Sequence, residues 1–122
     1  MWSNMTGTVL IVDDDREVVA VLAEALTEAG YRVRVAYDGQ MAMEALGHAG
    51  TDLVIADLMM PRLDGLGLLR ALRERPDPAP VLMISAWPGL STEPGLQVIA
   101  KPFDLDEVIA AASALIRRRE VR

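Results

Sequence analysis

The chain of 122 residues has no cysteine, which excludes a disulfide framework, a thiolate metal site and a cysteine nucleophile. It has one histidine, His48, placed between Gly47 and Gly50, where it reads as a surface residue and not as a ligand or phosphodonor. Long apolar runs are also missing. The longest, Val18 to Ala23, is six residues, whereas a membrane-spanning helix needs about 20. The first eight residues carry no basic group ahead of an apolar segment, so they do not read as a signal peptide. These absences predict a soluble, cytoplasmic globule with no membrane partner. Bases are outnumbered, twelve against eighteen acids, and the net charge of −6 disfavours nucleic acid as a partner. Lysine is nearly absent. Eleven of the twelve bases are arginine, so Lys101 is the one place where a compact ammonium was used. The length predicts one domain over residues 1–122, with a core of about 8–119 that buries roughly two-thirds of its unfolded surface.

What is present alternates between short apolar runs and amphipathic stretches. Thr8 to Val12 is a continuous run rich in β-branched residues, the pattern of a strand covered on both faces. Arg16 to Ala29 carries Val18, Val21, Leu22, Ala25 and Leu26 at helical spacing, with Gly30 where a C-terminal cap belongs. Tyr31 to Ala36 alternates as a strand, and Gln40 to Leu46 suits a short helix. Leu53 to Ala56 is a buried strand and Gly65 to Glu74 a helix. Val81 to Ser85 and Gln97 to Ala100 are further strands. Leu105 to Arg119 is the last helix, begun by Asp104 and Glu107 in a capping box. Five strands alternating with helices predict a doubly wound α/β fold with a five-stranded parallel sheet. Residues 87–96 hold two prolines and two glycines and do not suit a regular helix. Met41, Met43, Met59, Met60 and Met83 read as packing residues. Arg117 to Arg119 read as a solvated helix end that complements the dipole.

In an open α/β sheet the ligand site lies beyond the carboxyl ends of the strands. Asp13, Asp14 and Asp15 follow the first strand, Asp57 the third, Ser85 and Ala86 the fourth, and Lys101 and Pro102 the fifth. Gathered carboxylates repel one another unless a cation intervenes. Oxygen ligands with open positions suit Mg²⁺, which retains waters and accepts phosphate oxygens. With Lys101 as a point charge and Ser85 as a rotatable donor, the set suits phosphoryl transfer, where positioning and charge neutralisation do most of the work. Asp15 reads instead as a helix N-cap.

Residues 10–15 (LIVDDD), 52–65 (DLVIADLMMPRLDG), 81–86 (VLMISA) and 101–103 (KPF) together resemble the receiver domains of bacterial two-component response regulators. The resemblance spans about Thr8 to Arg119, and Asp57 followed by Pro61 and Asp64-Gly65 is its most specific part. It implies a flavodoxin-like (βα)5 fold. It also implies that Asp57 accepts a phosphoryl group from a sensor histidine kinase or phosphotransfer protein, as a nucleophile. Asp13 and Asp14 would hold Mg²⁺ with Asp57 and the backbone carbonyl of Met59, Asp13 through water. Lys101 would pair with the phosphoryl oxygens, across a cis Lys101-Pro102 bond, and Ser85 would rotate inward as part of a switch. The downstream target is not specified by these residues, and the domain would be no enzyme beyond its own phosphotransfer and autodephosphorylation.

Two other functions compete. A phosphatase of the haloacid dehalogenase type also uses an Asp nucleophile, but there a D-x-D-x-T pattern follows the first strand, and here Asp15 runs into Arg16-Glu17 with no threonine. A degenerate receiver that binds partners without phosphorylation is the stronger rival, because the chain departs from the family between Ser85 and Lys101. That segment is shorter by about six residues, or one and a half helical turns, so the fourth helix is expected to be short or missing. Val98 stands where relatives carry a switch Tyr or Phe. Met59 and Trp87 occupy the positions that, in the family the chain resembles, flank the path of attacking water, where two bulky apolar groups would slow hydrolysis of the phosphoryl group.

Overall fold

The computed structural model describes residues 6–47, 50–57, 65–86 and 96–120. Five strands, β1 (Thr8–Val12), β2 (Arg32–Ala36), β3 (Leu53–Asp57), β4 (Val81–Ser85) and β5 (Gln97–Ala100), form one sheet of order β2-β1-β3-β4-β5. Every neighbouring pair is parallel. Four helices are described: α1 (Arg16–Glu28), α2 (Gly39–Leu46), α3 (Gly65–Arg73) and α4 (Leu105–Glu120). Residues 86–96 join β4 to β5, close to the minimum of about ten to twelve for a parallel crossover. Most of that connection, residues 87–95 with Trp87 among them, lies outside the described residues, as do Met59, Met60, Pro61, Asp64 and His48.

Alternation along the strands splits the core into two layers. Val9, Ile11, Ile55 and Ile84 face Val19, Leu22 and Leu26 of α1 and Val108, Ala112 and Ile116 of α4. Leu10, Val12, Val54 and Met83 face Ala42 and Leu46 of α2 and Leu68, Leu69 and Leu72 of α3. Because β1, β3 and β4 are covered on both faces, almost every residue in them must be apolar, as the runs at 8–12, 53–56 and 81–84 are. Each fully buried Leu or Ile contributes about 1.5–3 kcal/mol over an exposed one.

The element boundaries follow from local hydrogen bonding. Asp15 caps α1, its carboxylate accepting from the backbone N–H groups of Glu17 and Val18. At the other end Gly30 takes φ +108°. The N–H of Gly30 donates to Thr27 O, and that of Tyr31 to Leu26 O, the two bonds of a Schellman motif. Tyr31 therefore belongs to the cap, and β2 starts one residue later than the alternation alone suggests. Asp38 caps α2 through the Met41 N–H, at 2.8 Å, and draws Gly39 into the helix.

Three readings from the sequence need correction. Val21, placed on the apolar stripe of α1, is exposed, and Val19 takes the buried position beside Leu22 and Leu26. Met41 is 40% exposed and does not fill the core, because Ala42 and Leu46, four residues apart, are the inward positions of α2. Arg119 is not a solvated end. Its Nη1 donates to Thr51 O at 2.7 Å, and its Nη2 to Asp77 O at 3.3 Å and to Asp77 Oδ2 at 3.0 Å. It fastens the end of α4 to the start of β3.

Candidate functional site: the carboxylate cluster at the sheet edge

Parallel register brings the chemistry together. Val12 pairs with Ala56, so Asp13 and Asp57 emerge side by side at the C-terminal ends of β1 and β3. Asp57 pairs with Ile84, which puts Ser85 one step further along β4. Ser85 pairs with Ala100, which puts Lys101 one step beyond that. Two backbone bonds carry the ladder into the site: Asp13 N–H to Ala36 O at 3.2 Å and Lys101 N–H to Ser85 O at 2.8 Å. Pro102 follows through a cis peptide bond, as the family resemblance implies.

The side chains converge as well. Lys101 Nζ donates to Asp13 Oδ2 at 3.1 Å and to Asp57 Oδ2 at 3.3 Å, so one ammonium bridges two carboxylates. Asp13, Asp57 and Ser85 are buried and Asp14 is exposed. Asp13 Oδ1 also accepts from the Asp15 N–H at 2.9 Å, which fixes its plane. Burial pushes the Asp13 carboxyl up to about 6, and the nearby charge of Asp57 adds to the rise. The Asp15 N–H and Lys101 oppose it without cancelling it. Burial tends to lower the Lys101 ammonium, but its bonds and charges shared with Asp13 and Asp57 win, and its pKa is raised. Lys101 is therefore fully protonated near neutral pH.

Asp13, Asp14 and Asp57 each offer a carboxylate oxygen, and these atoms lie within 4.8 Å of one another. This donor set fits a hard divalent cation that prefers oxygen ligands. One lysine against three carboxylates leaves a formal charge of −2 when all are ionised, the charge that such a cation would balance. The sequence reading of Asp13, Asp14, Asp57, Ser85 and Lys101 as one cluster is thus matched by their placement. Met59 and Trp87 lie outside the described residues. Val98 is half-buried, pairs with Met83 and packs against the layer formed by α2 and α3. One contact was not singled out from the sequence: the Arg16 guanidinium lies 4.0 Å from the centre of the Tyr37 ring, joining the first turn of α1 to the loop after β2. Only the topology could reveal that pair, since 20 residues separate the two positions in the chain.

The chain matches the response regulator receiver domain family over residues 9–113. It belongs to that family, whose members are the signal-accepting modules of two-component systems. It is 39% identical to the response regulator MprA of Mycobacterium ulcerans over 123 residues, covering 96% of this chain and 53% of that protein. It is 40% identical to MprA of Mycolicibacterium vanbaalenii over 120 residues, covering 93% and 52% respectively. The chain thus spans about half the length of the curated relatives it matches. Among solved structures, the receiver domain of Francisella response regulator 1452 aligns with a TM-score of 0.82 at 33% identity, covering 92% of this chain and 98% of that one. Response regulator TrrA from Thermotoga maritima, solved in complex with Mg(2+)-BeF, aligns at 0.81 with 26% identity, covering 89% and 98%. No helix among the described residues is long and apolar enough to cross a membrane.

Proposed function

We propose that this chain is one receiver unit, with its core over about residues 8–119, and that Asp57 is its phosphoacceptor. The phosphoryl group would come from a phosphohistidine on a sensor kinase or phosphotransfer protein in the cytoplasm. An Asp57 carboxylate oxygen attacks phosphorus, the P–N bond breaks, and the imidazole leaves with a proton, so an acyl phosphate replaces the carboxylate. Asp13, Asp14 and Asp57 hold Mg²⁺ in this reading, and the Met59 carbonyl is the further ligand the family resemblance implies. When bound, the ion supplies positive charge to the phosphoryl oxygens and the acidic cluster. Lys101 orients the Asp57 carboxylate before transfer and afterwards pairs with a phosphoryl oxygen. Ser85, buried at the end of the neighbouring strand, donates its hydroxyl to the same group and so couples charge at Asp57 to the chain that follows β4.

The observation that carries this reading is the Lys101 ammonium held 3.1 Å from Asp13 and 3.3 Å from Asp57 at the level edge of a parallel sheet. A buried acid pair served by a single lysine disfavours an apo structural role, since the cluster stays under-neutralised. The test is phosphorylation by acetyl phosphate and by candidate histidine kinases, read as a mobility shift on a Phos-tag gel. Wild type should shift with Mg²⁺ and lose the shift with chelator, and Asp57→Asn should not shift. Equal behaviour of wild type and Asp57→Asn would favour a receiver that docks partners without phosphorylation. The downstream partner is a protein surface or output domain that reads the segment after Ser85. Val98 in place of an aromatic ring makes that coupling weak.

A further inference from the structure

We propose that the end of the sheet opposite the carboxylate cluster carries a second site, a pocket for a small tetrahedral oxyanion of the phosphate class. The pocket has a volume of about 250 Å³ and lies at the N-terminal ends of β3 and β4. Leu46 and Leu72 form its apolar side, and Thr51, Arg75, Asp77 and Arg119 its polar side.

Charge is the first reason. Arg75 is half-buried, and its only side-chain hydrogen bond among the described residues runs from Nη2 to Leu46 O at 3.1 Å. A guanidinium has five N–H donors and no way to shed its charge, so Arg75 lines the pocket with donors to spare. Arg119 is already engaged with Thr51 O and with Asp77, whose carboxylate offsets one of the two positive charges. A net positive pocket results, in a chain whose overall charge is −6.

A hydroxyl is the second. Thr51 Oγ1 is buried with no hydrogen-bond partner, although Thr51 lines the pocket. Buried hydroxyls are nearly always paired. A staggered change of χ1 is the motion by which Oγ1 would reach an acceptor bound in the pocket that Thr51 lines. Donors then come from the α3–β4 connection, the end of α4 and the start of β3. An anion with acceptors in several directions suits three such donors better than a planar carboxylate does.

Titration with inorganic phosphate, followed by amide NMR in magnesium-free buffer at constant ionic strength, tests the site. Amides of Gly50, Thr51, Asp77 and Ala79 should shift saturably while those of Ala86 and Lys101 stay in place. Arg75→Gln keeps a donor for Leu46 O and should weaken binding about tenfold or more, as expected for loss of a charge-assisted bond. Thr51→Val preserves shape and should weaken it less, and it carries the test should Arg75→Gln fail to fold. Shifts that sodium chloride reproduces, that never saturate, or that survive in both variants would mean an adventitious ion only, and would overturn the proposal.

Discussion

Replacing Asp13 by Asn should stabilise the metal-free domain. The Asp13 carboxyl sits at about 6 in the folded chain against an ordinary 3.8. A difference of that size corresponds to about 3 kcal/mol against the ionised form near neutral pH. Burial is the main cause and the neighbouring Asp57 charge adds to it, so a neutral side chain of the same shape escapes both. Asparagine can still accept from the Asp15 N–H through Oδ1. Its amide N–H₂ would face the Lys101 ammonium, donor against donor, which leaves a net gain of about 1–2 kcal/mol. For 122 residues the unfolding entropy is about 0.26 kcal/mol/K, so the gain appears as a rise of about 4–8 °C in Tm. The assay is thermal unfolding followed by circular dichroism in chelator and in saturating Mg²⁺. In chelator Asp13→Asn should melt higher. In Mg²⁺ the order should close or reverse, because wild type gains binding energy that the variant has partly lost. A variant that melts lower than wild type in chelator would refute the reasoning.

The same group fixes a pH dependence. Its folded pKa lies above its unfolded one, so the metal-free folded state binds more protons between about pH 4 and pH 6, and stability falls as pH rises through that window. Urea midpoints for wild type minus Asp13→Asn should show that fall and then level off above about pH 7, and a flat difference would contradict it. Lys101→Gln removes the ammonium that bridges Asp13 and Asp57, and should cost about 1–3 kcal/mol without Mg²⁺ by urea unfolding. Gly30→Ala places a Cβ at φ +108° and should cost about 1–2 kcal/mol with no effect on phosphorylation, measured by the same unfolding curves. Arg119→Gln should lose about 1–2 kcal/mol and speed amide exchange at the start of β3.

Strand positions were legible in the sequence because each central strand is covered on both faces and has almost no freedom to be polar. The runs at 8–12, 81–85 and 97–100 agree with the structure residue for residue, and β3 extends only one residue further, to Asp57. The cluster was legible for a related reason. A parallel sheet delivers its strand ends to one edge, so the first polar residue after each apolar run marks the site. Contacts between distant loops were not legible. Arg119 meets Thr51 across 68 residues, and nothing in an arginine run distinguishes the member that turns back over the sheet from those facing water. The same holds for Arg75 on Leu46 O and for Asp52, whose Oδ2 accepts the Thr8 N–H at 2.8 Å to start β1. Such pairs depend on tertiary placement, which periodicity does not encode.

The two ends of β3 show how unevenly stability is distributed. At its start, Arg119 grips Thr51 O and a hydrogen bond from Asp52 N–H to Thr8 O ties it to β1. At its finish, Asp57 lies beside Asp13 with one lysine between them, and burial, with the Asp57 charge adding to it, keeps Asp13 far from its ordinary acidity. Interior packing alone would favour apolar residues at both positions, since a buried acid adds nothing to the core and costs desolvation. The strand tolerates the conflict because the apolar residues from Leu53 to Ala56 are fully covered on both faces. A site whose charges are unbalanced in the free protein responds strongly to anything that changes their sum, whether a divalent cation or a phosphoryl group. In the function proposed above, that imbalance is the physical basis on which a phosphoryl group at Asp57 would shift the domain between two states.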